Sequence, residues 1–292
     1  MSIQYEAPRS VAEAVQLIEA DPGARIFAGG TDLLVQVRAG ARRPTAFVDV
    51  KRIPELTAIM LDDAGLRLGA AAAAVDICEH AELKRIWPGL IEAVHLIGST
   101  QIQGRATVGG NLCNASPAAD TTCALIVNRA RGVLAGPRGE RSVAVDEFCT
   151  APGRTVLQRG ELLVAIHVPR PAPGTADAYL RLIPRSEMDI AIAGAGVSLT
   201  LDSNGTCTAA RVALAAVAPT ALLVPEAGEA LAGSRIDAAA LERAAAAASG
   251  AARPIDDKRG TAEYRRAIAG VLTKRAAQVA ARRIAERNLS RA

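Results

Sequence analysis

Apolar residues recur at helical spacing in several stretches of this 292-residue chain. The first stretch places four of them on one face of a predicted helix: Val11, Ala14, Val15 and Ile18. Ser10 and Glu13 form a capping box at the start of that helix. The same periodicity, alanine-rich late in the chain, predicts further helices at 33–37, 225–232, 237–249 and 261–287, and two helices between 75 and 97, the second starting at Pro88.

Alternating apolar and polar positions predict strands between these helices. They lie at 25–27, 46–50, 133–134, 142–145, 164–168, 190–201 and 207–217, with a hairpin around DDAG at 62–65. The segment PRPAPGTAD, residues 169–177, holds three prolines and a glycine and predicts a linker. Strands and helices alternate too irregularly for a doubly wound sheet. We therefore predict an α+β fold, with two small strand-and-helix units before the linker and one after it.

The composition limits what can fill the cores. Apolar residues make up 50% of the chain, but it contains only one Trp, three Tyr and three Phe. The cores must therefore be built from Ala, Val, Leu and Ile. The 34 basic and 30 acidic residues are interspersed, which indicates a mixed solvated surface and argues against nucleic-acid binding.

Sequence features also bear on location and metal content. The N-terminal MSIQYEAPRS lacks the regions of a secretory signal, and no uncharged run, including Ile190 to Leu201, is long enough to span a bilayer as a helix. The five cysteines are scattered without a CxxC pair and the three histidines stand alone, so we predict no disulfide framework and no metal site. These features favour a soluble cytoplasmic protein without membrane insertion.

Two segments with adjacent glycines are predicted to be loops that follow strands: AGGTD at 28–32 and TVGGN at 107–111. Because glycine lacks a Cβ, successive backbone N–H groups can point into one concavity and bind a pyrophosphate. Thr31 can also cap a following helix, whose positive end attracts an anion. The alternative for each segment is a tight turn. A Rossmann site does not match, because no third glycine follows Gly30 before the helix.

Three longer stretches carry a family resemblance. FAGGTDLL, IGSTQIQGRATVGGNLCNASPAADT and YLRLIPRSEMDIAIAG occur in this order, starting at residues 27, 97 and 179. Together they resemble the FAD-binding medium subunit of molybdenum hydroxylases, the xanthine dehydrogenase and carbon monoxide dehydrogenase family. The resemblance covers essentially the whole chain. It implies a two-subdomain FAD-binding fold of the PCMH/VAO type, residues 1–56 and 57–174, followed by an α+β C-terminal flavoprotein domain at 177–292.

The resemblance also implies which residues bind FAD. The two glycine segments would hold the pyrophosphate, Asp120 the ribose or adenosine side, and Ser116 a neighbouring part of the cofactor. Leu163 would lie beside the flavin, Arg181 stands where relatives have a Lys, and Ile190 stands where some have Tyr or Ile near the ring. The predicted cofactor residues are Ala28, Gly29, Gly30, Thr31, Asp32, Thr107, Val108, Gly109, Gly110, Asn111, Ser116, Asp120, Leu163, Arg181 and Ile190.

Two other residues invite a flavin-related interpretation. Ile97 falls where some relatives stack an aromatic ring, so the resemblance implies that such stacking is absent there, and core packing is the alternative. Cys113 lies inside the second glycine region, and a small buried thiol without reactivity is the favoured interpretation. No pair of residues stands out as nucleophile and base, so we predict no catalytic residue in this chain.

The function implied by the resemblance is electron transfer. Reducing equivalents would leave a substrate at a molybdenum site in a large partner subunit and pass through [2Fe–2S] centres in a small partner subunit. They would then reach an external acceptor through the FAD of this chain, a FAD-dependent oxidoreductase subunit. Two alternatives remain: a stand-alone FAD-dependent oxidase or dehydrogenase, and a non-redox scaffold that has lost the flavin.

Overall fold

The structure is a computed structural model that describes residues 2–289. Numbered in chain order, the strands are β1 (Gln4–Glu6), β2 (Arg25–Phe27), β3 (Ala46–Asp49), β4 (Ile59–Leu61), β5 (Gly65–Gly69), β6 (Arg131–Gly136), β7 (Gly139–Ala144), β8 (Cys149–Ala151), β9 (Arg154–Thr155), β10 (Leu162–Pro169), β11 (Thr175–Leu182), β12 (Ala193–Leu201), β13 (Cys207–Ala215) and β14 (Leu222–Leu223).

The helices are numbered in the same way. They are α1 (Val11–Ala20), α2 (Leu33–Arg38), α3 (Pro54–Thr57), α4 (Ala74–Glu79), α5 (Ala81–Ile86), α6 (Pro88–His95), α7 (Thr100–Gln103), α8 (Val108–Asn114), α9 (Asp120–Val127), α10 (Val145–Phe148), α11 (Pro225–Leu231), α12 (Ala238–Ala251) and α13 (Ala262–Leu289). A short 3-10 helix spans Val50–Arg52. In the part of the chain that the structure describes, no helix combines the length and apolarity needed to cross a membrane.

The N-terminal unit is a three-stranded parallel sheet in the order β1-β3-β2. Parallel strands need crossover connections, and α1 lies in the one between β1 and β2. Ser10 caps α1 by accepting from Glu13 N at 3.2 Å, as the capping box predicts. The Glu13 carboxylate accepts from Arg9 N at 2.7 Å rather than from the cap residue itself. Ala14 of α1 and Val48 of β3 belong to the buried core of this unit.

The second unit is built on an antiparallel five-stranded sheet in the order β4-β5-β10-β6-β7. Strand β10 lies at its centre, and most of its residues are buried. Helices α4 to α9, which lie between β5 and β6 in the chain, contribute to the same core through residues such as Leu90 and Leu125, and Trp87 between α5 and α6 is buried there as well. The second glycine segment belongs to this helical region.

The C-terminal unit is an antiparallel sheet in the order β11-β12-β13-β14, with α11 and α13 packed against it and α12 packed on these two helices. Its core is rich in alanine, including Ala193, Ala195, Ala244, Ala248, Ala276, Ala277 and Ala280. Small side chains let helices and strands approach closely, so these alanines form a packed core without aromatic residues. The α+β class is confirmed.

A buried carboxylate joins the C-terminal sheet to the second unit. Asp177 of β11 accepts from Gly89 N at 2.9 Å and Leu90 N at 3.0 Å, at the start of α6, and from Asn128 Nδ2 at 2.8 Å. Burial raises the pKa of Asp177, and these donors offset part of the rise. The carboxylate therefore caps a helix of the neighbouring unit and holds the two units together.

Several sequence-based predictions need correction. Three helices, rather than two, occupy 75–97, because the extended backbone of His80 (φ −71°, ψ 106°) separates α4 from α5. TVGGN opens a helix directly instead of forming a loop after a strand, and the strand predicted from residue 190 begins at Ala193. Strands extend to Pro169 and from Thr175, so residues 170–174 alone connect them. Several short elements escape prediction because two to four residues are too few to show a repeating pattern: β1, β8, β9, β14, α3, α7 and α10.

Candidate cofactor-binding site

Both glycine segments line one cavity of about 540 Å³. The volume lies in the range of cofactor and small-molecule sites. The cavity wall is formed by the turn between β2 and α2, the start of α8, Ile97, and β10 with the residues just before it. Segments far apart in the sequence thus meet at one site.

The first glycine segment turns the chain from β2 into α2. Gly30 has a φ of +76°, in the left-handed region that glycine adopts readily. Lys51 supports the turn, because its Nζ donates to the Ala28 carbonyl at 3.0 Å and lies 4.4 Å from the centre of the Phe27 ring. The backbone N–H groups of residues 29–32 make no hydrogen bond to another described residue. These donors are available to a ligand.

The second glycine segment forms the first turn of α8. Thr107 is the N-cap, and its hydroxyl oxygen accepts from Gly110 N at 2.9 Å. Gly109, Gly110 and Asn111 all line the cavity. The Oδ1 atom of Asn111 accepts from the Thr121 hydroxyl at 2.6 Å, so this side chain is held at the wall. The start of α8 thereby faces the same space as the start of α2.

Packing within the protein also requires glycine in both segments. A Cβ at Gly29 would overlap the Arg105 carbonyl oxygen, and a Cβ at Gly109 would lie 2.7 Å from Ala70 Cα. The missing side chains therefore let neighbouring backbone approach the two segments. The sequence suggests a ligand or a turn as the reason for these glycines, and close approach of the protein backbone is a third reason.

Polar side chains connect α2, which follows the first glycine segment, to α8, which begins in the second. Gln36 Nε2 of α2 donates to Asn114 Oδ1 of α8 at 2.9 Å, and Arg42 Nε donates to Gln36 Oε1 at 2.5 Å. All three side chains line the cavity, where Arg42 contributes a positive charge. Asp32 contributes a solvent-exposed carboxyl group, whose pKa is raised by desolvation from neighbouring protein atoms. An anion between the segments would meet Arg42 and the free backbone donors.

Apolar side chains line other parts of the same cavity. Ile97 and Leu163 contribute aliphatic surface, and Cys113 lies among the lining residues. Burial raises the pKa of the Cys113 thiol to about 12, so it is uncharged at neutral pH and lacks the thiolate that reacts. The cavity thus offers both polar donors and apolar walls, as a ligand with an anionic part and a ring system requires.

Most of the predicted cofactor residues line this cavity: Ala28, Gly29, Gly30, Thr31, Asp32, Thr107, Gly109, Gly110, Asn111 and Leu163. The others do not line it. Val108 is buried in the hydrophobic core, Ser116 Oγ accepts from Ala118 N at 3.3 Å, and Ile190 is 53% exposed to solvent. Asp120 and Arg181 lie together in a buried interface.

Asp120 lies at the start of α9, against the C-terminal sheet. Its carboxylate accepts from the Tyr179 hydroxyl at 2.7 Å and from Arg181 Nη1 at 2.6 Å. Burial raises the pKa of this carboxyl, and the Arg181 charge and the Tyr179 hydrogen bond offset part of the rise. Both carboxylate oxygens are therefore engaged by β11.

Several polar residues at or behind the cavity wall are not among the predicted cofactor residues, including Gln36, Arg42, Asn114 and Thr121. A usable signal existed for Asn114. Once Thr107 is recognised as an N-cap, Asn111 and Asn114 lie three residues apart on one face of a helix. Gln36 and Arg42 belong to no motif, and their position at the cavity depends on how α2 packs.

Two family models match the chain on either side of the connection at 170–174. One, described as the FAD binding domain in molybdopterin dehydrogenase, matches residues 1–171, and the other, the CO dehydrogenase flavoprotein C-terminal domain, matches residues 178–280. The chain belongs to this FAD-binding family. Its cofactor is FAD, as predicted, and it is a FAD-dependent oxidoreductase subunit.

Individual relatives match along nearly the whole chain. The carbon monoxide dehydrogenase medium chain of Hydrogenophaga pseudoflava is 36% identical over 278 residues, covering 95% of this chain and 96% of that one. The xanthine dehydrogenase FAD-binding subunit of Escherichia coli O157:H7 is 31% identical over 273 residues, 93% of each chain. A chain of reconstituted CO dehydrogenase from Oligotropha carboxidovorans has a TM-score of 0.93 at 34% identity and covers 97% of this chain and 99% of its own.

These similarities confirm the predicted family, fold class and cofactor, and they describe an electron-transfer FAD subunit of a molybdenum hydroxylase complex. The cavity fits that cofactor. Unpaired backbone donors at residues 29–32 and the charge of Arg42 suit a diphosphate, and the aliphatic surface of Ile97 and Leu163 suits a ring system.

Proposed function

We propose that this chain passes electrons from the [2Fe–2S] centres of a small partner subunit, through FAD, to an external acceptor. The electrons would come from a molybdenum site in a large partner subunit. The observation that carries the proposal is the convergence of AGGTD and TVGGN on one cavity with apolar walls. The names of the relatives, a medium chain and a FAD-binding subunit, support a complex of several chains.

We propose that the cavity-lining residues contact FAD directly. The N–H groups of residues 29–32 and the start of α8 would bind the diphosphate, and Arg42 would neutralise part of its charge. Ile97 and Leu163 would pack against apolar parts of the cofactor. Asp120 and Arg181 already bind each other, so a direct FAD contact by either one requires an exchange of partners.

The chain's residues bind and orient the cofactor, and the flavin, when bound, supplies the electron-transfer chemistry. Oxidation of substrate needs no acid or base from this chain, because the proposal assigns that step to the large subunit. We place the complex in the cytoplasm, which the five free cysteine thiols support because such thiols persist in a reducing compartment. The division into FAD-binding subdomains at 1–56 and 57–174 and a C-terminal domain at 177–292 is part of the same proposal.

Reconstitution and co-purification test the proposal. The full chain, purified and mixed with FAD, should retain flavin absorbance after desalting and should oxidise no small molecule by itself. Expressed in its source cells, it should co-purify with a large and a small chain that carry molybdenum and iron. Absence of retained flavin would contradict the cofactor role, and rapid turnover by the isolated chain would show a stand-alone oxidase.

A charge change at the cavity rim tests where the diphosphate binds. Arg42→Gln should weaken FAD binding by about fivefold and reduce the dependence of the dissociation constant on salt, because one exposed cation is lost. Arg43→Gln is the matched control, since Arg43 is exposed beside it but does not line the cavity. Equal FAD affinity in the two variants would place the diphosphate elsewhere.

A further inference from the structure

A hydrogen bond behind the cavity wall connects α9 to the cofactor site. Thr121, the second residue of α9, has 0% exposure, and its hydroxyl donates to Asn111 Oδ1 at 2.6 Å. Asn111 lines the cavity, whereas Thr121 does not. Thr121 thus contacts a wall residue from the side opposite to the ligand space.

The direction of this hydrogen bond fixes the Asn111 carboxamide. A buried hydroxyl group needs an acceptor for its proton, and the acceptor of Thr121 is the carboxamide oxygen of Asn111. The amide nitrogen is therefore turned away from Thr121, and it donates to no other described residue. Asn111 keeps two N–H donors at the cavity wall.

The C-terminal domain holds the first turn of α9 in place. Asp120 precedes Thr121, and Tyr179 and Arg181 of β11 donate to its carboxylate at 2.7 and 2.6 Å. The side chains of Asp120 and Arg181 are only 9% and 6% exposed. These contacts therefore hold the first turn of α9, which carries Thr121, against β11 of the C-terminal sheet.

We propose that Thr121 is a positioning residue for FAD, which orients the Asn111 carboxamide so that its Nδ2 donates to the anionic part of the cofactor. The proposal rests on the FAD site proposed above. It adds that the C-terminal domain contributes to FAD affinity through Asp120 and Thr121, although none of the described cavity-lining residues belongs to that domain.

The neighbouring threonine offers a matched control. Thr122 is also buried, with 3% exposure, and its hydroxyl has no hydrogen-bond partner among the described residues. Replacing either threonine by valine removes one hydroxyl and keeps the branched shape. Only the change at Thr121 frees the Asn111 carboxamide, whereas the change at Thr122 removes an unpaired buried polar atom.

Titration of FAD into the full-length apoproteins tests the proposal, with thermal unfolding of each apoprotein measured in parallel. Thr121→Val should raise the dissociation constant by about tenfold, and Thr121→Ser, which keeps the hydroxyl, should stay within about threefold of the wild type. Thr122→Val should bind as the wild type does. Equal affinity of Thr121→Val and Thr122→Val overturns the positioning role, whereas a wild-type chain that binds no FAD overturns the proposed function itself.

A change at Asn111 tests the donor directly and serves if Thr121→Val does not fold. Asn111→Asp keeps an acceptor for the Thr121 hydroxyl but replaces the N–H donors by a carboxylate oxygen. At pH 7 we expect FAD to bind at least about tenfold more weakly, because the ionised carboxylate has no N–H donor and repels the anionic part of the cofactor. Unchanged affinity of Asn111→Asp at pH 7 would overturn the proposal.

Discussion

Both glycine segments contain the dipeptide Gly-Gly, but they differ in local structure. In AGGTD, Gly30 has a φ of +76°, and α2 begins at Leu33 without a side-chain hydrogen bond at its cap. In TVGGN, both glycines lie in the first turn of α8, and Thr107 caps that turn by accepting from Gly110 N. The first segment depends on backbone freedom, and the second on a capping hydrogen bond.

Glycine occurs beside the cavity for two reasons, close approach of neighbouring protein atoms and a positive φ. In each segment one glycine admits neighbouring protein: Gly29 faces the Arg105 carbonyl, and Gly109 faces Ala70. The second glycines of the two pairs differ from each other in backbone conformation, because Gly30 has a positive φ and Gly110 does not. A glycine pair therefore indicates close approach without specifying the backbone conformation. Substitutions at these positions can separate the two effects.

The largest effect is expected where backbone atoms occupy the position of the missing Cβ. Gly109→Ala would place a Cβ 2.7 Å from Ala70 Cα, and we expect a loss of about 2–4 kcal/mol in the free energy of unfolding, measured in urea. At Gly110 the near neighbour is Thr107 Oγ1, at 2.8 Å, so Gly110→Ala should stay within about 1 kcal/mol of the wild type. Equal losses would show that the two glycines do not differ in this way.

A smaller effect is expected from the positive φ of Gly30. Gly30→Ala should cost about 2 kcal/mol, because alanine is disfavoured in the left-handed region and its Cβ would lie 2.5 Å from the Phe27 ring. Gly40→Ala is the control, since Gly40 has a φ of +72° and no atom lies within 4 Å of the position that its Cβ would occupy. It should cost about 1 kcal/mol, and calorimetry should resolve the difference. If both variants lose the same amount, the Phe27 contact has no energetic weight.

Removing the cap of the second segment should have a more modest effect. Thr107→Ala deprives Gly110 N of its acceptor, and we expect a loss of about 1 kcal/mol. The N-cap residue of α2 is Asp32, which makes no side-chain cap hydrogen bond, so Asp32→Ala should lose less than about 0.5 kcal/mol. Urea denaturation of both variants at pH 7 measures the difference. A greater loss for Asp32→Ala would reverse the contrast between a capped and an uncapped helix start.

The smallest effect concerns pH. Asp32 is exposed to solvent, but desolvation by neighbouring protein atoms raises its pKa above the value in the unfolded chain, so a small contribution to stability is fully present below the unfolded pKa and is lost as pH rises through the folded pKa. The apoprotein should therefore gain stability relative to Asp32→Asn as the pH falls from 7 toward about 4. Unfolding measured at both pH values gives the difference between the two proteins. A pH-independent difference would show that the carboxyl titrates normally.

Local sequence predicted the elements whose signals lie within one stretch of chain. The capping box at Ser10, the alternating strands and the alanine-rich helices α12 and α13 depend on neighbouring residues, and the structure contains them. The error at TVGGN has the same origin. Its adjacent glycines predict a loop, but the hydroxyl of Thr107 stabilises a helix start that tolerates glycine in its first turn.

The candidate site was less predictable, because its contacts join residues that are distant along the chain. Gln36 contacts Asn114 across 78 positions, and Arg181 contacts Asp120 across 61. The residues next to these four in the sequence form no pattern that predicts either contact. The resemblance assigned Asp120 and Arg181 to the cofactor, and it contained no information that these two side chains bind each other in the interface between units.

The sequence by itself determined many of the longer helices and strands, the aliphatic character of the cores, and the presence of two glycine segments suited to a long anionic ligand. Spacing, side-chain size and backbone freedom are local properties, because they depend only on consecutive residues. Only the tertiary structure decided that both segments face one cavity, that Arg42 adds a charge there, and that Thr121 holds Asn111 from behind. Those relations arise when separate helices and strands pack together, since packing alone sets the distances between residues that the chain keeps far apart.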